Sequence, residues 1–332
     1  MTSAEPLVSV VTPFYNTAPF IAECIESVLK QSYRNFEYVL VDNHSTDGSG
    51  AIAQQYAQQD PRLRVIRADR FRDQIPNYNY ALRQISTESR YVKVAQADDW
   101  LFPRCLTEFV ELAEAHPRAG ILSSYDLRGT TVYGSGLPPT LRILSGKEAA
   151  RIYFLKWLFL FGSPTTVFYR AEVVRQADAF YPEGTLHADT EVVFEILKNY
   201  DFGFVHQVLS FTRLRDDSIT GRLQNMSDPA LDRVIILERF GRAFLEPTEY
   251  QEARRSALTW YYDELARRWL SERAGKRNQA FWDYHRKGLA TVGATIDRTA
   301  VARAAARILV RTALNPGQLF RSLQSAEMRP AQ

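Results

Sequence analysis

From Leu7 to Ser124 the sequence alternates between short apolar, β-branched runs and stretches with a helical period, and that alternation constrains the chain more than any other feature. It predicts a mainly parallel sheet with helices on both faces. Leu7 to Thr12 (LVSVVT) reads as a buried parallel strand. Pro13 has no N–H for a central ladder, so the chain is expected to turn there and leave Phe14, Tyr15 and Asn16 at the sheet's edge. Ile21, Cys24, Ile25, Val28 and Leu29 mark one buried helical face. Phe36 to Val41 is a second strand ending at Asp42, and Asn43 to Gly48 is turn and N-cap chemistry before a Gln-rich helix from Ser49 to about Gln59. Leu63 to Arg67 is a third strand, and Pro76 to Ile85 is helical. Tyr91 to Ala95 is a strand leading into Gln96-Ala97-Asp98-Asp99, a helix runs from Pro103 to His116, and Ile121 to Ser124 is again strand-like. Two strands therefore end in acid, at Asp42 and at Asp98-Asp99, where parallel sheets bind ligands.

Beyond Gly129 the pattern is less regular. Helix resumes around Lys147 to Phe161, Ser163 to Tyr169 reads as a strand, and His187 to Asn199 is a loop entering a helix. After about Asp228 the chain is helical and carries many aromatic and basic residues, among them Trp260, Trp269, Trp282, Arg267, Arg268, Arg273, Lys276 and Arg277. The expected organisation is a catalytic domain over 1–225, with halves at about 1–125 and 126–225, and a helical, basic extension over 226–332. Within the extension, Val301, Ala305, Ile308, Leu309 and Thr312 share a helical face opposite Arg303, Arg307 and Arg311. Such a helix either lies on an anionic membrane surface or packs on protein, in this chain or in a homo-oligomer. Val310 and Leu314 interrupt its polar face and favour packing. The tail after about Ser322 is expected to be disordered.

Composition excludes several classes. At 45% hydrophobic and 24% charged residues the chain is an ordinary globular one, and a net charge of +3 gives no footprint for nucleic acid. Cys24 and Cys105 have no metal-type spacing and read as small buried hydrophobes. No apolar run is long enough to span a bilayer; the richest, Tyr153 to Gly162, contains Lys156. With no N-terminal signal visible, a cytoplasmic protein is expected, and the last helix is the one segment through which it could touch the inner membrane face.

Taken singly, the candidate site residues each allow two readings. Adjacent Asp98 and Asp99 suit a hard divalent cation shared with phosphates, or one of them caps the following helix. Tyr15 supports a flat base, or belongs to a hydrophobic staple at a helix entry. Turn chemistry accounts for Ser45 to Gly48 but not for Asp42 at the strand's last position.

Together, the succession Val8-Ser9-Val10-Val11-Thr12-Pro13-Phe14-Tyr15-Asn16, Ser27 to Tyr33, Asp42 to Gly48 and Ala97-Asp98-Asp99-Trp100 resembles the family-2 inverting glycosyltransferases of the GT-A fold. The resemblance covers about Leu7 to Arg215 and is strongest before Pro103. It implies a Rossmann-like, mixed but mainly parallel sheet and a nucleoside-diphosphate sugar donor, UDP by default. Thr12, Pro13, Tyr15, Asn16, Asp42 and Asn43 then belong to the base site, and Asn79 faces the nucleotide unless it is a solvated helix residue. Gln96, Asp98 and Asp99 meet ribose and a divalent cation, Mn or Mg, with Asp99 as first ligand and Asp98 as second. Arg213 and Arg215 meet the diphosphate, Gly162 to Arg170 is an acceptor-side strand, and Asp189 is the general base.

Three positions depart from the family's pattern. Gln96 and Ala188 stand where acids are usual, and Asn43 replaces a common Asp. These support, as the alternative, an inactive or altered homologue acting as a binding module. Near Asp189, Glu191 suits a first helical turn, Glu195 a solvated face, and His187 an exposed loop. A dinucleotide-binding dehydrogenase is excluded because no G-x-G-x-x-G follows the first strand. The implied reaction joins a glycan or glycolipid hydroxyl to the sugar, for a surface polysaccharide, with no nucleic-acid partner.

Overall fold

The computed structural model describes residues 5–215, 226, 228–272 and 278–314. Contacts divide the chain into two compact units, Met1–Ser218 and Ile219–Gln332. The expected boundary at 225, the basic residues Arg273, Lys276 and Arg277, and the tail after Ser322 lie outside the described residues.

In the first unit the described strands form one ten-stranded sheet. Strands β1 (Val8–Phe14), β2 (Phe36–Asp42), β3 (Leu63–Arg67) and β4 (Tyr91–Val94) are parallel neighbours in the order β3-β2-β1-β4. β1 is buried along its whole length, as its apolar run requires. Helices α1 (Ile21–Leu29), α2 (Ser49–Ala57) and α3 (Gln74–Leu82) make the connections, and α1 buries Ile21, Cys24, Ile25 and Val28 as its period predicts. Beyond β4 come a two-residue strand β5 (Trp100–Leu101), α4 (Cys105–Ala115), β6 (Ala119–Arg128), β7 (Thr131–Tyr133), β8 (Ile143–Leu144), α5 (Gly146–Lys156), β9 (Phe168–Arg170), α6 (Ala171–Arg175), α7 (Ala188–Leu197) and β10 (Asp201–Thr212). β9 runs antiparallel between β4 and β6, β10 is parallel to β6, and β5 closes the edge antiparallel to β10. The sheet is mixed and mainly parallel. Cys24 and Cys105 are both free and buried.

Three local expectations change. β1 does not stop at Pro13 but runs through it, pairing Pro13 with Val41 and Phe14 with Asp42. The β4 ladder ends at Val11, so Pro13's missing N–H falls on a side with no partner strand. Phe14 consequently lies in the core, and only Tyr15 and Asn16 emerge. Residues 163–167 are not strand: Thr166 N–H donates to Ser163 O at 2.8 Å in a turn, and β9 begins only at Phe168.

The second unit contains α8 (Asp228–Phe244), α9 (Pro247–Glu272), α10 (Gln279–Ala290) and α11 (Arg298–Leu314). α11 buries Val301, Ala304 and Ala305, and Arg307 pairs with Asp263 of α9. The expected division of faces fails in the second half of α11: Arg307 is tied to a neighbouring helix, while Leu309 joins Val310 and Leu314 as exposed residues. Among the described residues no helix is long and apolar enough to cross a membrane.

Candidate functional site

β1 lies between β2 and β4, so the chain leaves it on one side towards β2 and β3 and reaches β4 on the other. Ligands bind parallel sheets at such a switch point, beyond the strands' carboxyl ends. Tyr15, Asp42 and Asp98-Asp99 all lie at these ends.

At the β1 and β2 exits most polar side chains hold the loops together. Thr12 is fully buried, its Oγ1 donating to Ala95 O at 2.7 Å and lying 2.9 Å from Tyr38 Oη. It ties β1 to the end of β4 and does not open on the surface. Asn16 has a positive φ of 50°, and its Oδ1 accepts from Thr46 N–H at 2.8 Å. Asp42 Oδ1 accepts Ser45 N–H at 2.8 Å, so turn chemistry accounts for one of its oxygens after all. A Cβ at position 50 would stand 2.7 Å from Asp42 Oδ2, so glycine is what lets α2 approach that carboxylate. The Asn43 amide donates to Arg72 O at 2.7 Å and accepts from Arg72 N–H at 2.9 Å. Tyr15 is 46% exposed and packs edge-to-face on exposed Phe71, ring centroids 5.0 Å apart.

The acidic pair is built differently on its two sides. Asp99 is buried; its Oδ2 accepts the Thr165 hydroxyl at 2.6 Å and its Oδ1 the backbone N–H of Arg213 at 3.0 Å. Burial first, then the charges of Asp98 and Asp126, push its carboxyl up to about 7, against the lowering effect of those two hydrogen bonds. Asp98 is partly exposed, and Arg215 Nη1 lies 3.2 Å from its Oδ2. Arg213 donates from Nε to Asp98 O at 3.1 Å and pairs through Nη2 with Glu23. Gln96 donates its N–H to Thr165 Oγ1 at 3.1 Å, and its side-chain oxygen lies 3.2 Å from the same hydroxyl oxygen, whose proton goes to Asp99. Among the described residues no group of three or more acids, histidines or cysteines is placed to hold a metal. Two adjacent carboxylates nevertheless fit a cation that takes its other ligands from a diphosphate and water, as Mg²⁺ commonly does.

On the other half, Asn79 is buried and brackets Tyr181: Nδ2 donates to Tyr181 O at 2.9 Å and Oδ1 accepts Tyr181 N–H at 2.8 Å. Nδ2 also reaches Glu183 Oε1 at 3.1 Å. Its two donor hydrogens are thus used within the protein. Asn79 is neither solvated nor turned with a spare donor towards a nucleotide; it fixes the segment that leads into α7. Asp189 sits in the first turn of α7, half-buried, its Oδ1 accepting Thr190 N–H at 2.9 Å. Burial first, with the Asp189 charge as a smaller contribution, raises the Tyr169 and Tyr181 hydroxyls above their ordinary ionisation range. His187 is buried, against expectation; Glu191 lies in the first turn of α7 as expected and is buried there, and Glu195 is exposed in an ion pair with Lys198.

Several site residues are absent from the sequence reading. Fully buried Lys93 donates to Thr165 O and, at 3.0 Å, to Val167 O, so it anchors the turn that presents Thr165 to Asp99. Burial holds its ammonium below the usual lysine range. A lysine inside the apolar run Tyr91-Val92-Lys93-Val94 was the available signal. Asp126, which accepts Ser210 Oγ at 2.8 Å and Thr212 Oγ1 at 2.9 Å, fastens the end of β10. Phe71 had no signal beyond being an aromatic in a polar loop.

Comparison with known proteins bears on the family and the fold. The family model described as "Glycosyl transferase family 2" matches residues 9–177. The glycosyltransferase GlyG of Streptococcus pneumoniae is 39% identical over 93 residues, 28% of this chain and 30% of that protein. The putative teichuronic acid biosynthesis glycosyltransferase TuaG of Bacillus subtilis is 39% identical over 99 residues, 30% of this chain and 38% of that protein. The chain thus spans well under two thirds of these relatives' lengths. Among solved structures, Staphylococcus aureus TarS (residues 1–349) with UDP-GlcNAc superposes with a TM-score of 0.60 at 19% identity, over 86% of this chain and 80% of that one. The Pyrobaculum calidifontis mannosyltransferase PcManGT, in complex with GDP-Man and Mn²⁺, gives 0.57 at 19% identity, over 97% and 84%. At these identities the likeness is one of fold.

Proposed function

Because the chain belongs to glycosyl transferase family 2, we propose that it moves a sugar from a nucleoside-diphosphate donor to an acceptor hydroxyl with inversion at the anomeric carbon. The observation that carries this reading is the Asp98–Asp99 pair at the sheet's switch point, closed over by Arg213 and Arg215. Tyr15 and Asp42 border the base, and Asp98 meets ribose or cation. The solved neighbours were captured with UDP-GlcNAc and with GDP-Man and Mn²⁺, which supports a nucleotide-sugar donor and leaves UDP as the default.

A divalent cation held by Asp98 and Asp99 would neutralise charge developing on the departing diphosphate. The chain's own cations contribute to the same neutralisation through Arg215, whose guanidinium already lies at the Asp98 carboxylate. Asp189 takes the proton of the attacking hydroxyl, which comes from the face of the sugar opposite the diphosphate, and that geometry inverts the anomeric centre. The acceptor we favour is a glycan or glycolipid of a surface polysaccharide. Exposed Leu309, Val310 and Leu314, interspersed with Arg311, suit contact of α11 with an anionic membrane carrying such an acceptor.

Release of nucleoside diphosphate from a panel of UDP-, GDP- and dTDP-sugars, followed for wild type and Asp189→Asn, tests the reading. A fall in kcat of about 10²–10⁴-fold, with donor binding kept, is the expected loss of a general base. Undiminished turnover in the variant would remove Asp189 from the reaction.

A further inference from the structure

Asn43 is buried at the end of β2, yet its amide makes a matched pair of bonds to one backbone unit, donating to Arg72 O and accepting from Arg72 N–H. Only a side chain with both a donor and an acceptor closes such a bracket. Arg72 is fixed further by its guanidinium, which lies 4.0 Å over the Tyr80 ring, donates to Arg70 O at 2.9 Å and pairs with Asp69. The residue thus clamped adjoins Phe71, which is 53% exposed and packs its ring against Tyr15 at 66° between planes. A large ring left exposed beside Tyr15 at the β1 exit, on a segment held this firmly, is a surface suited to a flat apolar partner.

We propose that Asn43 is a positioning residue that does not read the base: it fixes residues 69–73 so that Phe71 and Tyr15 together form the aromatic wall on which the donor's base is bound. This rests on the nucleotide-sugar reading above. It also separates two accounts of position 43 by sign. An aspartate there is isosteric and accepts from Arg72 N–H, but it sets a carboxylate oxygen against Arg72 O where the amide donated. If residue 43 contacts the base directly, aspartate still accepts a base N–H and binding is kept or tightened.

The test is calorimetric titration of the full-length chain with UDP, GDP and dTDP, for wild type, Asn43→Asp, Phe71→Ala and the double variant, with melting temperatures taken alongside. Asn43→Asp and Phe71→Ala are each expected to weaken the preferred nucleotide about ten-fold, the scale of one buried hydrogen bond or one stacking contact. The double variant is expected to bind no more weakly than Phe71→Ala alone, and the loss to appear in donor KM, not in kcat. Equal or tighter binding by Asn43→Asp, or losses that multiply in the double variant, would overturn the proposal. Phe71→Ala changes an exposed ring and decides the matter even if Asn43→Asp fails to fold, because unchanged binding in it would also overturn the proposal. If folded wild type binds none of the three nucleotides, the donor reading falls, and this inference with it.

Discussion

The backbone N–H of Arg213 donates to Oδ1 of Asp99 across 3.0 Å, joining positions 114 residues apart in sequence. The carboxylate beyond β4 is therefore completed by the residue that follows β10, and Thr165, from the turn before β9, supplies its other hydrogen bond. Three separate stretches of chain converge on one buried acid. The consequences of that convergence are measurable.

Asp99 titrates at about 7 in the folded protein, raised chiefly by burial, whereas an unfolded aspartate titrates near 3.9. Between those values the native state binds the proton that the unfolded chain releases, so Asp99 erodes stability as pH rises through that window. Asp99→Asn cannot ionise. Its melting temperature is expected to gain on wild type from pH 4 to pH 8, and a gap between the two that does not change with pH would contradict the assignment.

Thr165 lowers the Asp99 titration through its hydroxyl. Thr165→Val keeps the shape, removes that bond and leaves the acid titrating higher still. If ionised Asp99 is required for turnover, the acid limb of the kcat/KM profile should move to higher pH in Thr165→Val and stay in place in Thr165→Ser. Coincident profiles for valine and wild type would show that Asp99 does not set that limb.

In the helical unit, fully buried His285 lies 3.2 Å from Tyr261 Oη at Nδ1 and 2.8 Å from Met226 O at Nε2. A carbonyl only accepts, so Nε2 of the ring carries a proton. Burial pushes its titration down to about 4. The unfolded chain gains a proton near pH 6.5 that the folded unit refuses, so stability is lost as pH falls from 6.5 towards 4, by at most roughly 3 kcal/mol. Denaturant unfolding at pH 7 and 4.5 should show a smaller acid loss for His285→Asn than for wild type; an equal loss would place the acid sensitivity elsewhere.

What the sequence reveals about this fold follows from burial. β1, β2 and β4 are buried parallel strands with few polar interruptions, so the strands and the acids that follow β2 and β4 are legible. β10, the longest strand, is not, because its register against β6 shifts between Val205 and Val208 and His206-Gln207 breaks the alternation there. β5 is two residues long and carries no period at all. The roles of Asn43 and Asn79 are illegible for another reason. Each amide closes a bracket on a backbone unit distant in sequence, Arg72 or Tyr181, and no local pattern encodes such a partner.

The central claim is that Asp98 and Asp99 hold the diphosphate end of a nucleotide sugar. Calorimetric titration of the full chain with UDP-, GDP- and dTDP-sugars, with and without Mn²⁺, beside Asp98→Ala, tests it most directly. The account predicts that one nucleotide class binds, that Mn²⁺ tightens it, and that Asp98→Ala abolishes the metal-dependent part while the protein stays folded. Binding by the variant that is as tight and as metal-dependent as that of wild type would contradict it.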